Sequence, residues 1–245
     1  MANAIPRVAL RVGPMHDFGK IVYLDLQKTG SNFVSQFLRA ACIHPERGLQ
    51  KHSWVDADYR EDSIYFITVR QPVMLYSSLY RFGLDQRGGV YVNLRVAGML
   101  SVYSSFETFT DFLLDPANAV FLHPHYDRRI AEEMGFMSFR FLLLNLQAPV
   151  GRIGRCVEQG QPLSSLMQQS IINHVLKNES LNFDLLRLST ETLPEHFDRD
   201  RARAFLAAAP RANPSKMAAD ALRIESRELL DRVAAREQLL MTCYP

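Results

Sequence analysis

An α/β fold with a central, mostly parallel sheet flanked by helices is what this sequence of 245 residues predicts, on three observations. Two short apolar runs, IVYLDL and IYFITV, each end at a polar turn and pass into a segment of helical spacing. Further short apolar runs alternate downstream with helix-like stretches, the pattern of a sheet covered on both faces. The composition, 47% hydrophobic and 22% charged, supplies enough apolar side chains for one sizeable core.

The first strand is predicted over 21–26. It ends at QKTGSN, and in the SNFVSQFLRAA that follows, Phe33, Val34, Phe37 and Leu38 share one helical face. A second strand over 64–69 ends at Arg70, and Pro72 then sets the first turn of a helix continuing from Val73 to Phe82. The runs FRFLLL (139–144) and FDLLRL (183–188) are short enough to be further strands. Over 218–240, Leu222, Leu229, Val233 and Leu240 fall on one side and Arg and Glu on the other, which predicts a last amphipathic helix. One domain over 1–245 accommodates these elements, with a helical insertion around 85–130 where RGGV and DPAN are turn signals.

Charge and cysteine usage exclude several classes. Lys+Arg 28 against Asp+Glu 26 leaves a formal charge of +2, so no general polyanion surface and no nucleic-acid partner are expected. Cys42, Cys156 and Cys243 are scattered without a CxxC spacing, which points to reduced thiols rather than zinc or a disulfide framework. No run approaches the ~20 apolar residues of a membrane span, and the opening residues hold no apolar stretch of signal length. A cytoplasmic protein without an integral membrane segment is expected.

Chemistry concentrates at the two strand ends. In open sheets ligands bind where a parallel strand turns into a helix, because the free amides and dipole of the helix start favour anions. QKTGSN stands there: Gly30 permits close backbone approach, Thr29 and Ser31 add hydroxyls, and Lys28 adds charge. Its order is not that of a Walker A loop, and the second strand ends in Arg70 rather than a magnesium-binding Asp, so no metal is expected. The guanidinium fork of Arg70 suits a phosphate, with Ser78 about two turns into the next helix and Tyr80 beside it.

Taken in this order, YLDLQKTGSNFVSQFL resembles the 5′-phosphosulfate loop of sulfotransferases, and VRQPVMLYSSLY resembles their 3′-phosphate motif, Arg-x-Pro with a later Ser-x-Tyr. The pairing is similar to the carbohydrate, or Golgi-type, branch of that family. Asn213, Pro214, Ser215 and Lys216 give a looser echo of a late loop that closes over the nucleotide. Departures from the pattern are Gln27 for Pro, Asn32 for Ser or Thr, Gln71 for an acidic residue and Leu75 for Arg.

The resemblance implies a P-loop-like three-layer fold and transfer of a sulfuryl group from 3′-phosphoadenosine 5′-phosphosulfate (PAPS) to an acceptor hydroxyl, on a carbohydrate, glycolipid or small molecule. By the same resemblance Lys28 stabilises the departing oxygen, Thr29, Gly30, Ser31, Asn32 and Phe33 hold the 5′ end, and Arg70 and Ser78 hold the 3′-phosphate. Ser215 and Lys216 add cofactor contacts. His52 is the first choice for the base that accepts the acceptor's proton, ahead of His44 and Glu46, while His123 and His125 are candidates for holding the acceptor. Two rival readings are a nucleotide-dependent phosphotransferase on the same kind of sheet and a nucleotide-binding protein without turnover.

Overall fold

The computed structural model describes residues 16–49, 54–208 and 226–244. Five strands form one sheet: β1 (His16–Phe18), β2 (Ile21–Leu24), β3 (Gly48–Leu49), β4 (Ile64–Val69) and β5 (His174–Lys177). Their order across the sheet is β3-β1-β2-β4-β5. β4 pairs in parallel with β2 on one side and β5 on the other, while β1 pairs antiparallel with both β2 and β3. The sheet is therefore mixed, with its parallel half at β2, β4 and β5.

Helices follow in chain order: α1 (Ser31–Ala41), α2 (Pro72–Leu84), α3 (Gly89–Val96), α4 (Phe106–Leu114), α5 (Ala119–Leu122), α6 (Arg128–Glu133) and α7 (Phe136–Asn145). Then come α8 (Pro149–Glu158), α9 (Leu181–Arg187), α10 (Arg199–Ala208), α11 (Arg227–Arg236) and α12 (Gln238–Met241). None of the helices among the described residues is long and apolar enough to cross a membrane.

The alternation of the strands explains their legibility. Val22 and Leu24 of β2, with Tyr65, Ile67 and Val69 of β4, enter a core shared with α2, α4, α7 and α11. Ile21, Tyr23 and Phe66 point the other way, into a core shared with α1, α9 and α10. A strand buried on both faces reads as a continuous apolar run.

Two strand expectations are corrected. FRFLLL lies inside α7, where every residue but Arg140 is buried. A helix buried all round leaves the same unbroken apolar run as a buried strand. FDLLRL falls mostly in α9, whose buried positions are Leu181 and Leu185, one turn apart, while Phe183 and Leu186 are exposed. The last helix also differs: within the described residues it breaks at Glu237, which lies between α11 and α12 with its side chain fully buried.

Candidate functional site

The loop from Leu26 to Gly30 joins β2 to α1 and is pinned from below. Thr29 is fully buried; its hydroxyl donates to the Leu26 carbonyl at 2.7 Å and shares a 2.7 Å hydrogen bond with the Thr68 hydroxyl of β4. Thr68 in turn bonds the Tyr23 hydroxyl at 2.7 Å. This buried hydroxyl chain ties the loop to both parallel strands, so Thr29 serves the loop's shape rather than facing outward. Lys28 (φ 73°) and Gly30 (φ 95°) are both left-handed, and for the non-glycine Lys28 that conformation carries a strain of about 1 kcal/mol.

Gly30 is required by packing as much as by its φ. A Cβ there would meet Asn178 Nδ2 at 2.8 Å and Leu181 Cδ2 at 3.1 Å, and Asn178 Nδ2 already donates to the Thr29 carbonyl at 3.0 Å. The Cβ side of Gly30 thus faces the end of β5, so packing there requires glycine as well. Gly30→Ala is expected to destabilise the fold by about 2–4 kcal/mol, read as a lower urea midpoint; an unchanged midpoint would show that the loop relaxes freely.

Above the loop, α1 begins without a side-chain cap. The amides of Phe33 and Val34 bond the Gly30 carbonyl at 2.9 and 3.1 Å, so Phe33 is engaged within the helix and its ring is buried against Phe205. Ser31 is half-buried and Asn32 exposed at the first turn. The positive end of the helix dipole therefore faces outward beside Lys28.

Four cations converge here. Lys28 Nζ lies 3.8 Å from the centroid of the Phe82 ring on α2, and the Arg87 guanidinium lies 4.6 Å from the same ring. Burial, reinforced by the positive charges of Arg87, Arg70 and Arg81, lowers the Lys28 ammonium to about 8, with Asp85 opposing them. Arg70, at the end of β4, makes a long 3.5 Å contact from Nη1 to the Lys28 carbonyl. Arg81 carries a buried Nε with no hydrogen-bond partner among the described residues. Such a cluster of like charges with an unpartnered donor is one whose repulsion an anion would relieve.

Arg81, Phe82 and Arg87 were not singled out from the sequence. Arg81 and Phe82 lie in the last turn of α2 and Arg87 just past its end, so only the fold brings them to Lys28. The remaining candidates scatter. Ser78 is half-buried on α2, and Tyr80 is buried among Tyr103, Phe106 and Phe109, so Tyr80 packs the core instead of lining the site. His52, Ser215 and Lys216, with Asn213 and Pro214, lie outside the described residues.

His123 is buried, with its ring edge-on to Phe139 and its Nδ1 accepting the His125 amide at 3.2 Å. Burial, with Arg140 and His125 nearby, pushes its pKa down to about 3, so it is neutral at physiological pH. His125 is exposed and stands edge-on to Trp54 at 5.8 Å. Burial lowers the Arg140 guanidinium to about 10, opposed by the charge of Asp25, a buried carboxylate just past β2.

His44 and Glu46 belong elsewhere. His44 lines a concavity of about 300 Å³ with Lys20, Arg47 and Arg60, at the opposite ends of the parallel strands. Glu46 accepts from Arg39 Nε and bonds His16 Nδ1, both at 2.7 Å. Burial raises its carboxyl, but these bonds outweigh that and hold it below the usual carboxylate range, unsuited to a base. Among the described residues no group of three or more His, Cys, Asp or Glu is placed to hold a metal ion. No family model, curated protein or solved structure matches the chain.

Proposed function

We propose that the chain is a sulfotransferase that moves a sulfuryl group from PAPS to an acceptor hydroxyl, on a carbohydrate or glycolipid, by in-line transfer. The observation that carries this reading is the convergence of Lys28, Arg70, Arg81 and Arg87 beside the uncapped start of α1. It lies at the ends of two adjacent parallel strands, where open sheets bind their ligands. The orphaned Arg81 Nε supports an anionic ligand over a purely structural cluster.

Two anion positions suit the two ends of such a donor. Lys28 and the first turn of α1, at Gly30, Ser31 and Asn32, would hold the 5′ end; Arg70 and the start of α2 would hold the 3′-phosphate. When bound, the donor supplies an activated sulfuryl group. Lys28, still largely protonated at neutral pH, would balance the negative charge that develops as that group departs. His123 and His125 are the candidates for holding the acceptor, with His52 as the base.

Thermal unfolding tests the reading, with adenosine 3′,5′-bisphosphate compared against AMP and against ATP with magnesium. At a hundred times its Kd the bisphosphate is expected to stabilise the protein by about 2.7 kcal/mol, and AMP far less. A shift only with ATP and magnesium would favour the phosphotransferase. No shift with any of the three would leave both motifs as scaffold.

A further inference from the structure

We propose that Glu179 and Tyr244 form a latch over the Arg70 anion position, which a ligand phosphate must open in order to bind. The proposal rests on the sulfotransferase reading of that position and specifies how the site is regulated. Glu179 stands just beyond β5, and its Oε1 accepts a hydrogen bond from the Gln71 amide at 2.9 Å. Gln71 is the residue between Arg70 and the start of α2, so this amide is the one an anion held by Arg70 would meet at the helix start. A carboxylate of the chain itself already takes it.

Tyr244 closes the arrangement from a segment distant in sequence. Its hydroxyl donates to Glu179 Oε2 at 3.1 Å, and Lys177 Nζ lies 5.2 Å from the centroid of its ring. Burial first, and then the charge of Glu179, raise the phenol well above its usual range, so it stays protonated and remains a donor. The Arg70 guanidinium is near enough to act on the same phenol in the opposite sense. Tyr244 is only half-buried, whereas Glu237, seven residues earlier, is fixed in the core. Opening the latch therefore needs the exposed Glu179 side chain to swing off the Gln71 amide and the residues after α12 to release it, with the core in place.

The energetics decide which state wins. A phosphate dianion at Arg70 and the Glu179 carboxylate repel one another and compete for one amide, so removal of the carboxylate charge must favour the ligand. Glu179→Gln keeps an acceptor oxygen for the Gln71 amide and so preserves the local fold. Tyr244→Phe removes one hydrogen bond and tests the latch through a second residue.

Isothermal titration of the full chain with adenosine 3′,5′-bisphosphate and with AMP tests the proposal. The bisphosphate is expected to bind roughly fivefold more tightly to Glu179→Gln and about twofold more tightly to Tyr244→Phe. AMP, which lacks the 3′-phosphate, should change by less than about twofold in either variant. Equal or weaker bisphosphate binding by both variants overturns the latch and leaves the site reading standing. Failure of the bisphosphate to bind either the wild-type chain or the variants overturns the site reading, and the latch with it.

Discussion

Lys28→Met is expected to raise the melting temperature of the free protein while cutting the shift caused by adenosine 3′,5′-bisphosphate to half or less. The ammonium titrates near 8, below its usual 10.5, so the native state holds its proton less tightly than the unfolded chain. By linkage, Lys28 costs stability at neutral pH, and the wild-type protein should gain stability as pH rises from about 8 toward 10.5. Solvent screening of this half-exposed group and the lost contact with Phe82 leave a net gain for the methionine variant of about 1 kcal/mol. For a chain of this size that is a rise of about 2–4 °C.

Binding moves in the opposite direction. Loss of a charge-assisted contact worth about 1.5–3 kcal/mol should weaken the bisphosphate roughly 10- to 150-fold, and under the proposed function transfer should fall further, because Lys28 would also meet the charge that develops during reaction. Scans at pH 7 and pH 9, with and without ligand, separate the two effects. A variant that melts lower than wild type yet keeps the full ligand shift would make Lys28 a structural residue and remove the main support for the anion site.

The parts of this molecule legible from sequence are those whose reasons are local. β2 and β4 were readable because burial on both faces writes an apolar run that stops at a polar turn. α7 wrote the same kind of run from a helix surrounded by core, and only length could have separated the two. β5 hid because HVLK is an edge strand with Val175 exposed and His174 and Lys177 half-buried. β1 and β3 are too short to carry an alternation. At the site, Lys28, Gly30 and Arg70 sit within compact motifs, whereas Arg81, Phe82 and Arg87 approach Lys28 only through the path of α2. Glu179 and Tyr244 meet across the fold, and no local pattern marks either one.

Glu237→Ala should lower the melting temperature by about 10 °C, the largest stability effect expected of a single side chain here. Glu237 is fully buried and accepts the Tyr76 hydroxyl at 2.6 Å, the Met137 amide at 3.1 Å and the Ser138 amide at 2.6 Å. It thereby caps the start of α7 and ties the α11–α12 junction to α2. Gly135 is fitted to it, since a Cβ there would lie 2.3 Å from Glu237 Oε1. Truncation orphans a buried phenol and two buried amides, at about 1–3 kcal/mol each before relaxation, and about 4 kcal/mol after water enters the gap.

Glu237→Gln separates charge from shape. Burial raises the Glu237 carboxyl above its usual range despite its donors, so its contribution is largest at low pH and declines as pH rises through the raised value. The glutamine variant keeps much of the geometry, should melt within a few degrees of wild type, and should lose that decline. Because the clasp also anchors the segment that carries Tyr244 to Glu179, Glu237→Ala should tighten bisphosphate binding by the folded protein in the same direction as is expected of Tyr244→Phe. An alanine variant that melts within about 2 °C of wild type would show that the clasp is dispensable and that α12 is held by its leucines alone.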